Sequence, residues 1–220
     1  MLDLIFSRQT DVFVWLSYLL SVAVVVFLCT PVHEFAHAIS AVKLGDPTPK
    51  YMGRTTLNPF AHIDNFGALL ILLFGFGWAK PVQVNSLNFK NPKTGMALTA
   101  LAGPVSNVLV ALVFKILFST LMTLGIFSHG FGIYFLLFLR YVIQINISLA
   151  VFNLIPIPPL DGSKLLAAIL PDRIYYSLMQ YERYFSFILL FLLVTDVLDY
   201  PINFLYNAVY SLLDLITFWI

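Results

Sequence analysis

The chain has 220 residues, of which 60% are hydrophobic and only 10% are charged, whereas soluble domains carry about a quarter charged residues. Its mean hydropathy of +0.90 is typical of a protein that lies in lipid. The net charge of +1 provides no basic surface for nucleic acid. Composition therefore excludes a nucleic-acid partner as well as an ordinary soluble domain.

Four apolar regions are predicted to cross the membrane as helices, which takes about 20 residues each. They are residues 12–30, 96–124, 133–154 and 184–198. Residues 202–220 form a fifth apolar region, but its Asn and Asp residues make it polar enough to lie at the interface instead. Residues 68–78 are apolar but too few for a full crossing, so we expect a re-entrant or interfacial segment there.

Residues 47–65, between the first two predicted spans, contain Pro47, Pro49, Gly53 and Pro59, which interrupt a helix repeatedly. The short pieces between them include residues that favour strands. We therefore predict a small β-hairpin lying against the membrane, whose edge could hold an extended substrate by strand addition.

Lys and Arg residues are distributed unevenly between the predicted spans. Six lie between the first and second spans and three between the third and fourth, while residues 125–132 contain none. If residues 68–78 dip into the membrane and return, all nine lie on one side. Since short loops rich in Lys and Arg stay in the cytoplasm, the expected topology places these stretches in the cytoplasm and the N-terminus outside.

His33, Glu34 and His37 continue the first apolar region as His-Glu-Phe-Ala-His. A spacing of four residues places both imidazoles on one face of a helix, where two His nitrogens can bind one zinc ion at about 2.1 Å. Glu34 lies beside this metal position and could be the general base that takes a proton from the attacking water. The pattern predicts a catalytic metal site.

The alternative is that these three side chains are polar residues at the point where the helix leaves lipid. Ionisable groups on an apolar helix are costly unless they bind a metal, pair or face water, and such residues in membrane segments are usually functional. The apolar setting therefore favours the metal site.

A catalytic zinc ion usually has three protein ligands, so two His residues leave one to be found. The acidic residues next to apolar regions are Asp46, Asp64, Asp161, Asp196, Asp199 and Asp214. Asp161 follows residues 153–160, Asn-Leu-Ile-Pro-Ile-Pro-Pro-Leu, in which three prolines end the helix and leave extended backbone at membrane depth. Such backbone is tolerated in a membrane only where protein buries it or it lines a wet cavity. Asp161 is the preferred candidate.

These patterns resemble the site-2 protease family of intramembrane zinc metalloproteases, peptidase family M50, in its compact prokaryotic form. Residues 33–37 match the family's HExxH, and residues 153–162 match its N-x-x-P-x-x-x-x-D-G. Residues 101–107, Leu-Ala-Gly-Pro-Val-Ser-Asn, are similar to its A-G-P-x-x-N element, and residues 77–82 are similar to its G-W-x-K-P-V element. Four motifs in the family's order make the resemblance specific.

The resemblance implies a zinc metalloendopeptidase that hydrolyses peptide bonds in or near transmembrane segments of other membrane proteins, as in regulated intramembrane proteolysis. Asp161 would be the third ligand of one Zn²⁺ beside His33 and His37, with Glu34 as the catalytic base. Asn153 would bind the substrate or the developing oxyanion, although an Asn at this place could also only cap its helix.

The expected partners are the transmembrane substrate and the lipid bilayer. Some family members carry a PDZ or CBS domain, for which this chain has no room. Gating is therefore expected from the membrane segments, a homo-oligomer or a regulatory membrane partner. The role of His62, a lone histidine in the stretch between the first two spans, stays open.

We expect an all-α polytopic membrane protein with three core helices and one or two C-terminal helices beside them. Residues 1–220 would form a single membrane-embedded domain, with its core at about residues 12–165 and its C-terminal helices at about 184–220. The multi-pass chain is expected in a prokaryotic cell membrane, with the active site toward the cytoplasmic side. A transporter or channel and an inactive metal-binding scaffold are the alternatives, against which stand the lack of paired repeats and the presence of Glu34.

Overall fold

The computed structural model describes residues 11–62, 64, 67, 69–70, 80–125 and 130–219. Most of the predicted re-entrant segment at residues 68–78 lies outside the described residues. We number the helices of the described residues in chain order. They are α1 (Val12–Leu44), α2 (Thr48–Tyr51), α3 (Pro59–His62), α4 (Pro92–Leu124), α5 (Gly132–Asn153), α6 (Asp161–Ile169), α7 (Asp172–Gln180), α8 (Glu182–Val194) and α9 (Asp199–Thr217).

Three of these helices, α1, α4 and α5, are long and apolar enough to cross a membrane. They contain 33, 33 and 22 residues respectively. The first three predicted spans are thus confirmed as helices, and the first is longer than expected because α1 continues through the His-Glu-Phe-Ala-His motif to Leu44. The described part of the chain is therefore all-helical with a core of three apolar helices, as predicted.

A π-helical turn at Val25–Cys29 lets α1 continue past a proline. Pro31 has no backbone N–H and would normally disrupt the helix one turn earlier. In the π turn the Thr30 N–H reaches back five residues to the Val25 carbonyl. The wider turn absorbs the proline, so the residues after it resume a regular helix and carry the site.

Most of the predicted fourth span, residues 184–198, forms the helix α8. The helix there, α8, has 13 residues, which is fewer than a crossing needs. Residues 173–180 of α7 and residues 184–194 of α8 are apolar enough together, but they are bent by 77° at the break between them. The helix α9 covers most of the predicted fifth region but begins three residues before it, at Asp199, and it packs against α4 and α5.

Polar contacts identify the two ends of the helix bundle. At one end the Tyr134 hydroxyl of α5 donates to the carboxylate of Asp11, which precedes α1. At the other end the buried Asp46, after α1, accepts from the Asn85 backbone N–H and from the Asn88 side chain, both at 2.7 Å. The start of α1 therefore lies beside the start of α5, and the segments at residues 45–51 and 85–88 lie together at the opposite end.

The prediction of a β-hairpin at residues 47–65 is wrong. The described residues of this stretch form the short helices α2 and α3 instead. Proline is favoured in the first turn of a helix, and here Pro49 and Pro59 occupy such places. Side-chain oxygens of Asp46 and Asn58 accept from the backbone N–H groups of the first turns, so residues that interrupt longer helices begin two short ones.

Candidate metal centre

Side chains from two distant parts of the chain converge inside the bundle. His33 and His37 lie one turn apart on α1, and Asp161 is the first residue of α6. Ligand atoms of these three buried residues all lie within 4.8 Å of one another. Nε2 of His37 is 3.0 Å from Nε2 of His33 and 3.0 Å from Oδ2 of Asp161, and Nε2 of His33 is 3.3 Å from the same oxygen.

The hydrogen bond of Nδ1, on the far side of the His37 ring, indicates which kind of ligand can lie between the three side chains. Nδ1 of His37 is 2.7 Å from the backbone carbonyl oxygen of Thr99 on α4. A carbonyl only accepts, so Nδ1 carries a proton. In the neutral ring, which is the form that binds a metal, Nε2 then has a lone pair. That lone pair faces a carboxylate oxygen, which is also an acceptor. Two acceptors at 3.0 Å need a cation between them, and two imidazoles with one carboxylate are a ligand set typical of catalytic zinc.

Asp161 is held in place by its own helix. Its other oxygen, Oδ1, accepts from the Lys164 ammonium at 3.1 Å, one turn further along α6. The ammonium group favours the ionised form of the carboxyl, which is the form that binds a metal.

Two glycines make room for this convergence. Gly103 of α4 packs directly against the imidazoles of His33 and His37, with no room for a side chain. Gly162 packs equally closely against the backbone of Leu154, so α6 turns back directly onto the end of α5. Both glycines belong to motifs found in the sequence, and their physical role is to let α4 and α6 approach the site.

Glu34 lies beside the cluster but is not part of it. One of its carboxylate oxygens accepts from the Val82 backbone N–H at 3.1 Å. Glu34, His37 and Asp161 line one cavity of about 120 Å³, together with Pro81, Val82, Val84, Thr99, Ala100 and Lys164. A buried carboxylate thus faces the same space as two of the three clustered residues, which is the placement a general base needs.

The two remaining candidates are placed differently. Asn153 is the last residue of α5 and half-buried, and it is not among the residues that line this cavity. His62 is fully buried at the end of α3, where its Nε2 lies 2.7 Å from the Thr56 carbonyl oxygen. Its own carbonyl accepts from the Lys80 N–H at 2.8 Å. His62 therefore anchors the start of the segment that reaches Glu34 at Val82.

Three contacts of the site were not predicted from the sequence. The Thr99 carbonyl and the Val82 N–H are backbone groups, so their contacts have no side-chain signal in the sequence, although Val82 ends the motif at residues 77–82. Lys164 is one of the three basic residues between the third and fourth predicted spans, which indicate the side of the membrane but no role in the site. Its spacing of three residues from Asp161 on a helix was the available signal for an ion pair.

Comparison with known proteins gives related sequences. The model of peptidase family M50 matches residues 128–195. Three relatives are named as putative zinc metalloproteases. YwhC of Bacillus subtilis (strain 168) is 40% identical over 181 residues, which are 80% of this chain and 81% of that protein. Rip2 of Mycolicibacterium smegmatis is 28% identical over 172 residues, 76% of this chain and 64% of that protein. MJ0611 of Methanocaldococcus jannaschii is 38% identical over 101 residues, which are 46% of this chain and 48% of that protein. No solved structure matches the chain.

Proposed function

Since this chain belongs to peptidase family M50, we propose that it is a zinc metalloendopeptidase that hydrolyses peptide bonds in or near the transmembrane segments of other membrane proteins. The observation that carries the proposal is the convergence of His33, His37 and Asp161 beside Glu34, on a cavity between long apolar helices. Regulated intramembrane proteolysis is the process that such an activity serves.

His33, His37 and Asp161 are the proposed ligands of one Zn²⁺. The fit rests on the 3.0 Å between Nε2 of His37 and Oδ2 of Asp161, and on the Thr99 carbonyl, which holds the proton of the neutral ring on Nδ1 and so leaves Nε2 for the metal. Three protein ligands leave one position open, as hydrolysis requires. When bound there, zinc polarises the scissile carbonyl and makes water a stronger nucleophile at neutral pH.

Glu34 is the proposed general base. The Val82 N–H engages one of its oxygens, Oε2, so the other oxygen is available to take a proton from water in the cavity. After attack, the same carboxyl can return this proton to the leaving amine. Because the Val82 bond fixes the side chain, Glu34 requires little rearrangement before it acts. Asn153, at the end of α5, is proposed to bind the substrate strand or the developing oxyanion.

The substrate has to present an extended backbone to this cavity. In a helix the backbone carbonyl groups are hydrogen-bonded within the segment, and these bonds persist in lipid because no water is there to replace them. A peptide bond becomes accessible only where the substrate helix ends or is unwound. The cavity is bordered by Pro81, Val82 and Val84 of a segment that precedes α4, so a chain that enters it is proposed to leave lipid beside that segment.

The multi-pass chain is proposed to lie in a prokaryotic cell membrane with its site toward the cytoplasm. Lys and Arg cluster in the stretches before α4 and after α5, and such loops stay inside. His37 contacts Thr99, only seven residues after the start of α4 at Pro92. The cluster therefore lies closer to the basic end of the bundle than to the end at Asp11 and Tyr134.

The test is cleavage of a model single-span protein by the purified chain in lipid vesicles. We expect cleavage that a zinc chelator abolishes and that added Zn²⁺ restores, with the cut in or near the membrane segment. Glu34→Gln protein in matched vesicles controls for a contaminating protease. If the wild-type chain binds zinc but cleaves no membrane substrate, the proposal is wrong and a metal-binding scaffold is favoured. Vesicle uptake of a divalent ion would favour a transporter.

A further inference from the structure

The two oxygens of the Asp161 carboxylate have different partners. Oδ2 faces Nε2 of both His33 and His37, at 3.3 and 3.0 Å. Oδ1 faces away from this point and accepts from Nζ of Lys164 at 3.1 Å. The carboxylate is therefore divided between a metal position and an ammonium group.

Lys164 is placed to hold Oδ1 without entering the cluster itself. It lies one turn after Asp161 on α6, and its side chain is 38% exposed, whereas that of Asp161 is 11% exposed. It also lines the cavity that Glu34 faces. An i,i+3 pair whose lysine is partly exposed contributes only a few tenths of a kcal/mol to a helix, so the pair requires an explanation other than the stability of α6.

The coordination chemistry of a carboxylate supplies that explanation. A carboxylate can bind a metal through one oxygen or through both. Catalytic zinc has three protein ligands and keeps a position open, while closed sites are structural. If Oδ1 were free, Asp161 could rotate slightly and add its second oxygen to the metal. That oxygen would then compete with water or substrate for the open position.

We propose that Lys164 is a positioning residue that holds Asp161 as a one-oxygen ligand and thereby keeps a coordination position open for hydrolysis. The ammonium acts through Asp161 and does not touch the metal. The inference rests on the metal site of the proposed function, but not on which substrate the enzyme cuts.

The experiment uses full-length purified protein with Co²⁺ in place of zinc. Co²⁺ absorbs visible light strongly when it has four ligands in a tetrahedral arrangement and more weakly when it has five. We expect the wild-type protein and Lys164→Arg to give the strong spectrum. Lys164→Met and Lys164→Gln should give a weaker, shifted spectrum, and with zinc their turnover should fall about 10- to 100-fold, the usual effect of losing a partner of a metal ligand.

Lys90→Met is the matched control, because it removes the same charge from an exposed residue outside the cavity. It should leave the spectrum and the turnover unchanged. An unchanged Co²⁺ spectrum in both Lys164→Met and Lys164→Gln would overturn the inference, even if turnover fell, because Lys164 would then act on the substrate. If the wild-type protein took up no Co²⁺ at all, the ligand set of the proposed function would fail together with this inference.

Discussion

Gly103 and His37 lie so close together that a Cβ added to the glycine would stand 2.3 Å from Nε2 of the imidazole. The same Cβ would stand 2.5 Å from Cε1 of His33. Real Cβ atoms do not approach other atoms to this distance. The helix α4 therefore meets the histidine pair at a position that only glycine can occupy, and Thr99, one turn earlier on α4, holds the far side of the His37 ring.

Gly103→Ala should therefore displace the His37 ring from the metal position. The ring is tied to α4 through Thr99, so it cannot move away without losing that bond. We expect the zinc affinity to fall by about 10- to 100-fold, as when a ligand loses its orienting partner. Zinc content after dialysis against a chelator of known affinity measures this. Val105→Ile adds one carbon on the exposed side of the same helix and should change nothing. Equal zinc retention in both variants would contradict the proposed packing.

Asp161→Ala should remove most of the bound zinc and all cleavage. Asp161 is 124 residues from His37 in the sequence, yet its carboxylate oxygen is 3.0 Å from the imidazole nitrogen. Loss of a direct ligand should reduce zinc affinity more than the roughly 10- to 100-fold that loss of an outer partner causes. Asp64→Ala is the control, since Asp64 accepts only a local N–H, that of Gly67 at 2.8 Å, in the contacts described. Full zinc content in Asp161→Ala would refute the ligand set.

Glu34→Gln should abolish cleavage and leave zinc bound. The amide retains the size of the side chain and can still accept from the Val82 N–H, but it cannot take a proton from water. Loss of a general base reduces rates by about 10²- to 10⁴-fold. Turnover and metal content should be measured on the same preparation, with His33→Ala as the metal-free reference. Zinc loss equal to that of His33→Ala would show that Glu34 is itself a ligand.

Much of the fold and the main members of the site could be predicted because they depend on local rules. The spacing of His33 and His37 is a property of any helix, and long apolar regions identify the spans. Asp161 could not be predicted from a local rule, since no such rule connects it with His37, 124 residues away. The proline run before it indicated backbone that must be buried or wet, and the family pattern agreed.

The errors have equally physical causes. Proline interrupts a helix interior but favours a first turn, and the sequence of residues 47–65 does not say which rule applies. The side-chain oxygens of Asp46 and Asn58 accept from backbone N–H groups in the first turns of α2 and α3, and these bonds stabilise two short helices. Residues 184–198 are apolar, but apolarity does not determine where a helix ends, and α8 ends at Val194 and makes an angle of 77° with α7.

Membrane topology can be tested by cysteine labelling of the two basic stretches. Lys50 lies between α1 and α4, and Arg173 lies after α5. Both are exposed and both are proposed to face the cytoplasm. In a Cys29→Ser background, Lys50→Cys and Arg173→Cys should react with an impermeant maleimide only in inside-out vesicles. Cys29 is the one native cysteine and is fully buried, so the Cys29→Ser background leaves the introduced cysteine as the one site of labelling. Labelling of the two variants from opposite sides would refute the proposed topology.

The C-terminal helix α9 should depend on one ion pair with α4. Lys115 is 7% exposed in the middle of α4. Its Nζ lies 2.5 Å from Oδ1 of Asp214 and 3.3 Å from the Tyr210 hydroxyl, both on α9. Asp214→Asn leaves this ammonium without its counter-charge in an apolar helix, where an unpaired Lys costs on the order of 3 kcal/mol. We expect a lower Tm in detergent with normal zinc content, because the metal site lies elsewhere. Asp199→Asn, an exposed change on the same helix, should have little effect.

The double variant Lys115→Met with Asp214→Asn should recover part of the lost Tm, since neither charge then remains. If the Tm losses of the two single variants simply add in the double variant, the ion pair contributes nothing to stability.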